Sequence, residues 1–419
     1  MKQGDLVEVN TKDSSYKGVY MPNSTEDKLV LKLNSGYNVG ILKKNVTKSK
    51  VLKGFVKKKA KKVKISKKKG KKNIIILHTG GTVASKVDYE IGGVSAHFTP
   101  EDLIEMVPEL EKIANIDTKL VAEMMSEDMM FSDYQKMLDY IKKSKSDGVI
   151  LTQGTDTLGY TAAALAFALE EVNIPVLVVG SQRSSDRGSS DAAMNLICAA
   201  EFIAKEGFKG VAVCMHDASS DNKCAIMSAT KTRKMHTSRR DAFKVINGSP
   251  YAYVDFISRK VEKMGKYPVE SKKLKIKDGF EGKVGILKTH PNMDSKLFEF
   301  YCKNYKGIVI EGTGLGHAPT NLGKNLKNYE QLKKYIKKGG IVVVTSQCLF
   351  GRVHPHVYVN LRRLEDIGCI FGEDMLPETA FIKLAWLLGS YPKDVKKLIS
   401  KDLRGEISDR SLWKEDFLE

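Results

Sequence analysis

The stretch Ile74–Tyr89, IIILHTGGTVASKVDY, joins a run of apolar residues directly to two glycines that stand between two threonines. A continuous apolar run of this kind is typical of a parallel strand that is buried on both faces. Glycine allows the chain to turn sharply after such a strand and allows another group to approach the backbone closely. The threonine hydroxyls supply a nucleophile or an orienting hydrogen bond. The stretch therefore predicts the first strand of an α/β sheet with a polar site at its carboxyl end.

Similar apolar runs recur along the rest of the chain. Further apolar runs are DGVILTQ, IPVLVVGS and GVAVCMH, and they alternate with helical segments such as YQKMLDYIKKSK, TAAALAFALEEV and DAAMNLICAAEFIAKEG. After a lysine-rich stretch near 258–280, a second series runs from KVGILKTH to ETAFIKLAWLLGS. Alternating strands and helices predict parallel sheets covered by helices. We expect two α/β domains, at 73–265 and 281–419.

The N-terminal part of the chain has a different composition. Residues 4–42 alternate apolar and polar positions around turn signals, which predicts a small β-barrel at 1–50. Of the formal net charge of +19, residues 1–72 contribute +16, with 21 lysines, no arginine and 5 acids. The 43–72 segment has 16 lysines and no acid, and its end at 51–72 is interpreted as a linker. Two roles stay open for these lysines, contact with a polyanion and a charge-extended linker that docks the barrel, and the second is favoured.

Several classes of protein are excluded or disfavoured by the sequence. No apolar run is long enough to span a bilayer, and the N-terminus has no apolar core of a signal peptide, so no membrane is expected. The six cysteines are scattered without a CxxC pair, which favours the cytoplasm over an oxidising compartment. No GxxxxGK[ST] loop is present, and no ligand spacing indicates a metal or a cofactor in this chain.

A second polar cluster, Gly154-Thr155-Asp156-Thr157, follows the apolar run GVILTQ. Taken alone, either cluster is better explained as a tight turn or a helix cap. Their order, with a lysine ahead of a DAF element, resembles the L-asparaginase/glutaminase amidohydrolase family over about residues 73–400. The stretches that carry the resemblance are ILHTGGTVAS, SEDM, LTQGTDTLGYTA, RKMHTSRRDAF, GTGLGHAP, TSQCLFGRV and DMLPETAFIKLAWLL.

The resemblance implies a two-domain asparaginase-like fold and amide hydrolysis through a threonine acyl-enzyme. The implied residues are Thr82 as the nucleophile, Tyr89 on the loop after it, Thr155, Asp156 and Lys234 as a proton relay, and Ser126 as a ligand of the substrate α-carboxylate. Lys231 also qualifies locally, but Lys234 has the family's spacing to Phe243. The sequence leaves open whether glutamine or asparagine is the amide donor and which threonine attacks first, with Thr82 preferred.

The basic front end and the HTSRRDAF stretch resemble the D-subunit branch of this family, found in archaeal glutamyl-tRNA(Gln) amidotransferases. That resemblance implies an E subunit as partner, which carries ATP and Mg and acts on Glu-tRNA(Gln), and a homodimeric core within a heterotetramer. The alternatives are a stand-alone asparaginase with an accessory barrel and an RNA-binding scaffold with a vestigial amidase site.

Two arginines and three histidines outside the implied catalytic set were also considered. Arg239 and Arg240 either pair with nearby acids or face a polyanion, and the two interpretations are balanced. His354 and His356 are expected on a surface loop rather than at a metal, because no carboxylate or cysteine stands at a matching spacing. His236 is expected close to Lys234 as a supporting residue.

Overall fold

A computed structural model of the chain describes residues 1–21, 24–33, 38–54, 68–80, 86–87, 94–95, 106–183, 189–269 and 271–411. The N-terminal strands are β1 (Leu6–Thr11), β2 (Ser15–Tyr20), β3 (Lys28–Leu33), β4 (Asn38–Leu42) and β5 (Val46–Lys53). They form an antiparallel sheet in the order β4-β3-β2-β1-β5. Alternate residues such as Val7, Val9 and Leu31 are fully buried in its small core. The alternating pattern therefore predicted these strands correctly.

The first α/β domain begins at Asn73. Its strands are β6 (Asn73–His78), β7 (Lys86–Val87), β8 (Val94–Ser95), β9 (Asn115–Leu120), β10 (Gly148–Thr152), β11 (Leu169–Glu171), β12 (Pro175–Val179), β13 (Gly210–His216), β14 (Lys223–Ser228), β15 (Thr232–Lys234), β16 (Phe243–Val245), β17 (Ala252–Asp255), β18 (Val261–Lys263) and β19 (Lys275–Ile276). Its helices are α1 (Leu110–Ile113), α2 (Phe131–Lys143), α3 (Leu158–Ala168) and α4 (Ala192–Lys205).

Within the described residues, the main sheet of this domain has eight strands in the order β18-β17-β14-β13-β12-β10-β6-β9. The strands from β9 to β13 are parallel, as the apolar runs predicted. Strands β14, β17 and β18 extend the sheet in antiparallel fashion, so the parallel strands predicted from the apolar runs form part of a mixed sheet. The reason is local: only a short turn separates β13 from β14, and a short connection joins neighbours that run in opposite directions.

The second α/β domain has a smaller, parallel sheet in the order β20-β21-β22-β23. Its strands are β20 (Val284–Lys288), β21 (Gly307–Gly312), β22 (Ile341–Ser346) and β23 (Ile370–Phe371), and its helices are α5 (Ser295–Asn304), α6 (Leu326–Lys337), α7 (Val359–Asp366), α8 (Pro377–Ser390) and α9 (Val395–Leu398). Helix α8 packs against α3 of the first domain, where the rings of Phe167 and Trp386 stack with centroids 5.6 Å apart. One apolar cluster spans both domains, so they are packed as a unit.

The segment 399–411, which we call the C-terminal strap, returns from the second domain to the first. Arg404 Nε donates to the carbonyl of Ala166 near the end of α3, at 2.8 Å. The Arg404 carbonyl in turn accepts a hydrogen bond from Thr230 Oγ1 at 3.1 Å. A fully buried ion pair, Lys383 Nζ to Glu406 Oε1 at 2.6 Å, fixes the strap to helix α8. The strap therefore holds elements of both domains together.

Among the residues that the structure describes, no helix is both long and apolar enough to cross a bilayer. All six cysteines are free thiols, and four of them are buried.

Candidate active site

The loop after β10 brings together three of the side chains that the sequence singled out. Thr155 and Asp156 lie between the end of β10 and the start of α3. Lys234 reaches them from the end of β15, with Nζ at 2.8 Å from Thr155 Oγ1 and at 2.8 Å from Asp156 Oδ1. The lysine side chain is largely buried while the aspartate is open to solvent. A hydroxyl, an ammonium group and a carboxylate in direct contact form an arrangement that can move a proton to or from a bound molecule.

The other lysine that fits the local pattern, Lys231, lies elsewhere. Its Nζ is 2.6 Å from Asp374 Oδ2 and 3.0 Å from Ser408 Oγ, and both ions of the pair are buried. Burial acts to raise the pKa of Asp374, but hydrogen bonds from Lys231 and from the Ser408 backbone outweigh it and hold that pKa below its ordinary value. Lys231 thus joins β15 to the second domain and to the C-terminal strap.

The turn after β6 shows why the first threonine and the first glycine of the TGGT motif are needed there. Thr79 is fully buried, and its hydroxyl donates to the Thr152 carbonyl at 3.0 Å, so the first threonine of the TGGT motif ties β6 to β10. Gly80 adopts a φ of +100°, and a side chain there would place a Cβ 2.5 Å from the Met124 carbonyl oxygen. Only glycine fits this conformation and this close approach. Thr82 and Tyr89 lie outside the described residues.

Ser126 is buried close to the Thr155 loop, and its hydroxyl has no hydrogen-bond partner within the described part of the chain. Its carbonyl accepts a hydrogen bond of 2.6 Å from Thr157 Oγ1, which fixes the backbone of the serine against the start of α3. Gly154 leaves the space above it open, since a Cβ at that position would lie 3.1 Å from Ser126 Oγ. Buried polar groups are rarely left unpaired, so this hydroxyl is a candidate contact for a bound polar group.

A cavity of about 440 Å³ lies beside the proton relay, and Asp156 and Lys234 form part of its wall. Arg233 and Glu378 also line it and pair with each other at 2.8 Å. Sequence reasoning missed both, although Arg233 adjoins Lys234 and Glu378 lies in DMLPETAFIKLAWLL. Their ion pair joins residues that are 145 positions apart in the sequence, and no local sequence pattern predicts such a contact. The cavity also contains Tyr160, whose phenol pKa is raised by burial.

The three histidines that the sequence analysis considered make local contacts. His236 lines the cavity, and its Nδ1 accepts hydrogen bonds from the backbone N–H groups of Ser238 and Arg239, each at 3.1 Å. His354 and His356 lie side by side, and His356 Nδ1 is 3.3 Å from Glu365 Oε2. No group of His, Cys, Asp and Glu side chains suited to a metal ion occurs in the described ranges.

A further histidine, His78 at the end of β6, was not singled out by the sequence. Burial lowers its pKa to about 4, so the ring is neutral at physiological pH. Its Nδ1 lies 2.8 Å from Thr152 Oγ1, which links the carboxyl ends of β6 and β10.

Both arginines of the HTSRRDAF stretch pair with nearby acids. Arg239 forms a bidentate ion pair with Asp241, with nitrogen–oxygen distances of 2.8 and 2.7 Å. Arg240 donates from Nη1 to Asp221 Oδ1 at 2.6 Å. Of the two interpretations that the sequence left open, the structure supports pairing with acids.

Comparison with known proteins matches three family models in chain order. These are the "GatD N-terminal domain" at residues 1–52, "Asparaginase, N-terminal" at 73–266 and the "Glutaminase/Asparaginase C-terminal domain" at 283–399. Among solved structures, the thermostable L-asparaginase from Thermococcus kodakarensis is similar, with a TM-score of 0.72 and 29% identity over 81% of this chain and all of that one.

Curated relatives match over almost the whole length. The glutamyl-tRNA(Gln) amidotransferase D subunit of Methanococcus maripaludis strain S2 is 42% identical over 98% of this chain and 99% of its own. The protein of the same name from Thermococcus kodakarensis is 44% identical over 97% of this chain and 94% of its own.

Proposed function

The chain belongs to the family of glutamyl-tRNA(Gln) amidotransferase D subunits, and we propose that it releases ammonia from a carboxamide by means of a threonine nucleophile. It has the asparaginase-like α/β fold and is an amidohydrolase subunit of the amidotransferase. The observation that carries the proposed chemistry is the double contact of Lys234 Nζ, at 2.8 Å from both the Thr155 hydroxyl and the Asp156 carboxylate.

In the proposed reaction, the Thr82 hydroxyl attacks the carboxamide carbon of glutamine or asparagine. Its proton passes through Thr155 to Lys234, whose amine must be neutral at that moment, and Asp156 stabilises the ammonium that forms. Backbone N–H groups of the glycine-rich turns stabilise the oxyanion of the tetrahedral intermediate. The same proton then goes to the leaving nitrogen, ammonia departs, and an ester to Thr82 remains. Water hydrolyses the ester, which restores the hydroxyl and frees the acid.

The ammonia is used by a partner. We propose that an E subunit, which binds ATP and Mg, activates the glutamate of Glu-tRNA(Gln) and transfers the ammonia to it. A homodimer of this chain forms the core of a heterotetramer with that partner, in the cytoplasm. The basic front end supports an assembly role, because the body after residue 72 carries only +3 of the formal charge of +19.

Replacing Thr82 by valine is expected to abolish ammonia release from glutamine and asparagine, in the presence of the E subunit, ATP and charged tRNA. Valine keeps the shape of threonine and removes only the hydroxyl. Thr47→Val on β5, whose hydroxyl donates to the Asn10 carbonyl of the N-terminal sheet, is the matched control and should keep full activity. Ammonia release by Thr82→Val at the wild-type rate would contradict the nucleophile assignment.

The same assay separates the proposal from its two rivals. A stand-alone asparaginase would release ammonia at a rate that neither the E subunit nor tRNA changes. A vestigial amidase would bind tRNA and release no ammonia from either amide.

Replacing Ser126 by alanine should lower kcat/KM about 10–150-fold, because a hydrogen bond to a charged group contributes about 1.5–3 kcal/mol. We expect no loss of thermal stability, since the hydroxyl has no hydrogen-bond partner among the residues that the structure describes. A primary amide that lacks the α-carboxylate is the control substrate, and wild type and variant should hydrolyse it equally. An equal loss on both substrates would show that Ser126 does not bind the carboxylate.

A further inference from the structure

Lys234 is held at the end of a short hairpin. Strands β15 and β16 pair antiparallel, with Lys234 opposite Phe243, and the Met235 N–H donates to the Ala242 carbonyl at 2.6 Å. Residues 235–242 form the loop that closes this hairpin. The position of the Lys234 ammonium therefore depends on how that loop is held.

We propose that Arg240 and Asp221 form a clamp that positions the hairpin, so that Lys234 keeps its contacts with Thr155 and Asp156. The proposal rests on the proposed function, because it assigns Lys234 to the reaction. Arg240 and Asp221 touch neither the relay nor the cavity, and they act through the lysine as positioning residues.

The clamp joins two loops that are distant in sequence. Arg240 donates from Nη1 to Asp221 Oδ1 at 2.6 Å and from Nη2 to the Ser219 carbonyl. The arginine side chain is 18% exposed and the Asp221 side chain 61%, so the contact lies at the surface, and its hold on the loop comes from two attachment points, Asp221 and the Ser219 carbonyl. A second tie lies beside it, from Lys244 Nζ on β16 to the Asp217 carbonyl at 2.7 Å. The hairpin is thus fastened to the turn between β13 and β14.

A buried polar network holds the far side of the clamp. His216 at the end of β13 is fully buried, and its Nε2 lies 3.1 Å from Asp221 Oδ1. Its Nδ1 lies 2.6 Å from Asn195 Oδ1. The amide nitrogen of Asn195 is committed to the Gly180 carbonyl and Asp191 Oδ2, so Oδ1 accepts from His216 Nδ1, and Nε2 donates to Asp221 only while the ring carries both protons.

The network continues to the neighbouring strand end. Asp191, at the start of α4, is fully buried and accepts hydrogen bonds from Ser181 Oγ and from the backbone N–H groups of Gln182 and Arg183. A continuous polar chain therefore runs from the carboxyl ends of β12 and β13 to Asp221. The hydrogen bonds of Asp191 and Asn195 in this chain are buried, and buried hydrogen bonds rigidify the groups that they hold.

The neighbouring arginine shows what a merely local ion pair looks like. Arg239 pairs with Asp241, two residues away in the same loop, and its side chain is 54% exposed. This pair joins no second element of the fold. Arg239→Gln therefore removes the same charge and the same kind of contact as Arg240→Gln, without releasing the hairpin.

The test compares Arg240→Gln, Asp221→Asn and Arg239→Gln in the assembled enzyme. A displacement of a catalytic group by about 1 Å can reduce the rate about 100-fold, so we expect kcat to fall about 10–100-fold in the first two variants, with KM within about twofold of wild type. Arg239→Gln should match wild type. The double variant Arg240→Gln/Asp221→Asn should be no slower than the slower single variant, because both changes open the same contact.

Two further measurements separate positioning from general loss of structure. Amide hydrogen exchange at residues 235–242 should become faster in Arg240→Gln while the thermal midpoint changes little. Arg240→Lys, which keeps the charge but not the planar fork, should recover part of the lost kcat. Wild-type kcat in Arg240→Gln, or an equal loss in Arg239→Gln, would overturn the clamp. If wild type itself releases no ammonia, the proposed function fails, and the exchange measurement still decides whether the clamp holds the loop.

Discussion

Replacing Lys234 by alanine should reduce ammonia release about 100- to 10,000-fold, the range that a positioned general acid or base contributes. The reason is its geometry, with Nζ at 2.8 Å from both the Thr155 hydroxyl and the Asp156 carboxylate. No other lysine among the described residues contacts that pair. The measurement is kcat at saturating glutamine and at saturating asparagine, together with the thermal midpoint, which should stay close to the wild-type value.

Lys231→Met is the contrasting variant. It removes a buried ammonium that pairs with Asp374 at 2.6 Å and leaves that buried carboxylate without its counter-charge. We expect it to lower the free energy of unfolding by about 3–5 kcal/mol while the folded fraction keeps a near-normal kcat. If instead Lys231→Met lost kcat and Lys234→Ala kept it, the relay would be wrongly assigned.

Replacing Glu406 by alanine should lower the free energy of unfolding by about 3–5 kcal/mol, since it leaves a buried charge without its partner. Lys383 and Glu406 are both fully buried, and their ion pair measures 2.6 Å. The Glu406 carboxylate also accepts hydrogen bonds from the backbone N–H groups of Leu403 and Arg404. The loss is measured as the shift of the denaturant midpoint.

The control is the double variant Lys383→Met/Glu406→Gln. It removes both charges, keeps a side-chain oxygen for the two backbone N–H groups and replaces the ammonium by an apolar group of similar length. It should therefore be more stable than Glu406→Ala. A double variant that is less stable than Glu406→Ala would mean that the charges themselves stabilise the strap.

Local patterns were sufficient for some features of this chain and insufficient for others. The apolar runs that end in Thr79 and Thr152 identified two adjacent parallel strands, because burial on both faces leaves a clear mark on composition. The antiparallel strands β17 and β18 were missed, because they have only four and three residues, too few for a periodic pattern to stand out.

Local sequence patterns likewise identified some residues of the candidate site and not others. Thr155, Asp156 and Ser126 stand in short motifs whose spacing is local, and the structure brings them close together. The choice between Lys231 and Lys234 depended on counting back from Phe243, and that spacing follows from the hairpin register, in which Lys234 faces Phe243. Asp221 and Glu378 could not be found, because contacts across 19 or 145 positions are set by tertiary packing.

The C-terminal strap has a consequence for the order of events during synthesis. Arg404, which holds the end of the helix that follows Thr155, is made 238 residues after its partner Ala166. At a rate of about 5–20 residues per second, a ribosome needs about 12–48 s to cover that distance. While the last 170 of these residues are made, from Lys234 to Arg404, the nascent first domain has the relay side chains but not the support that Arg404 gives to the end of α3. The contact that Arg404 makes with the end of α3 therefore forms only after the strap has been synthesised.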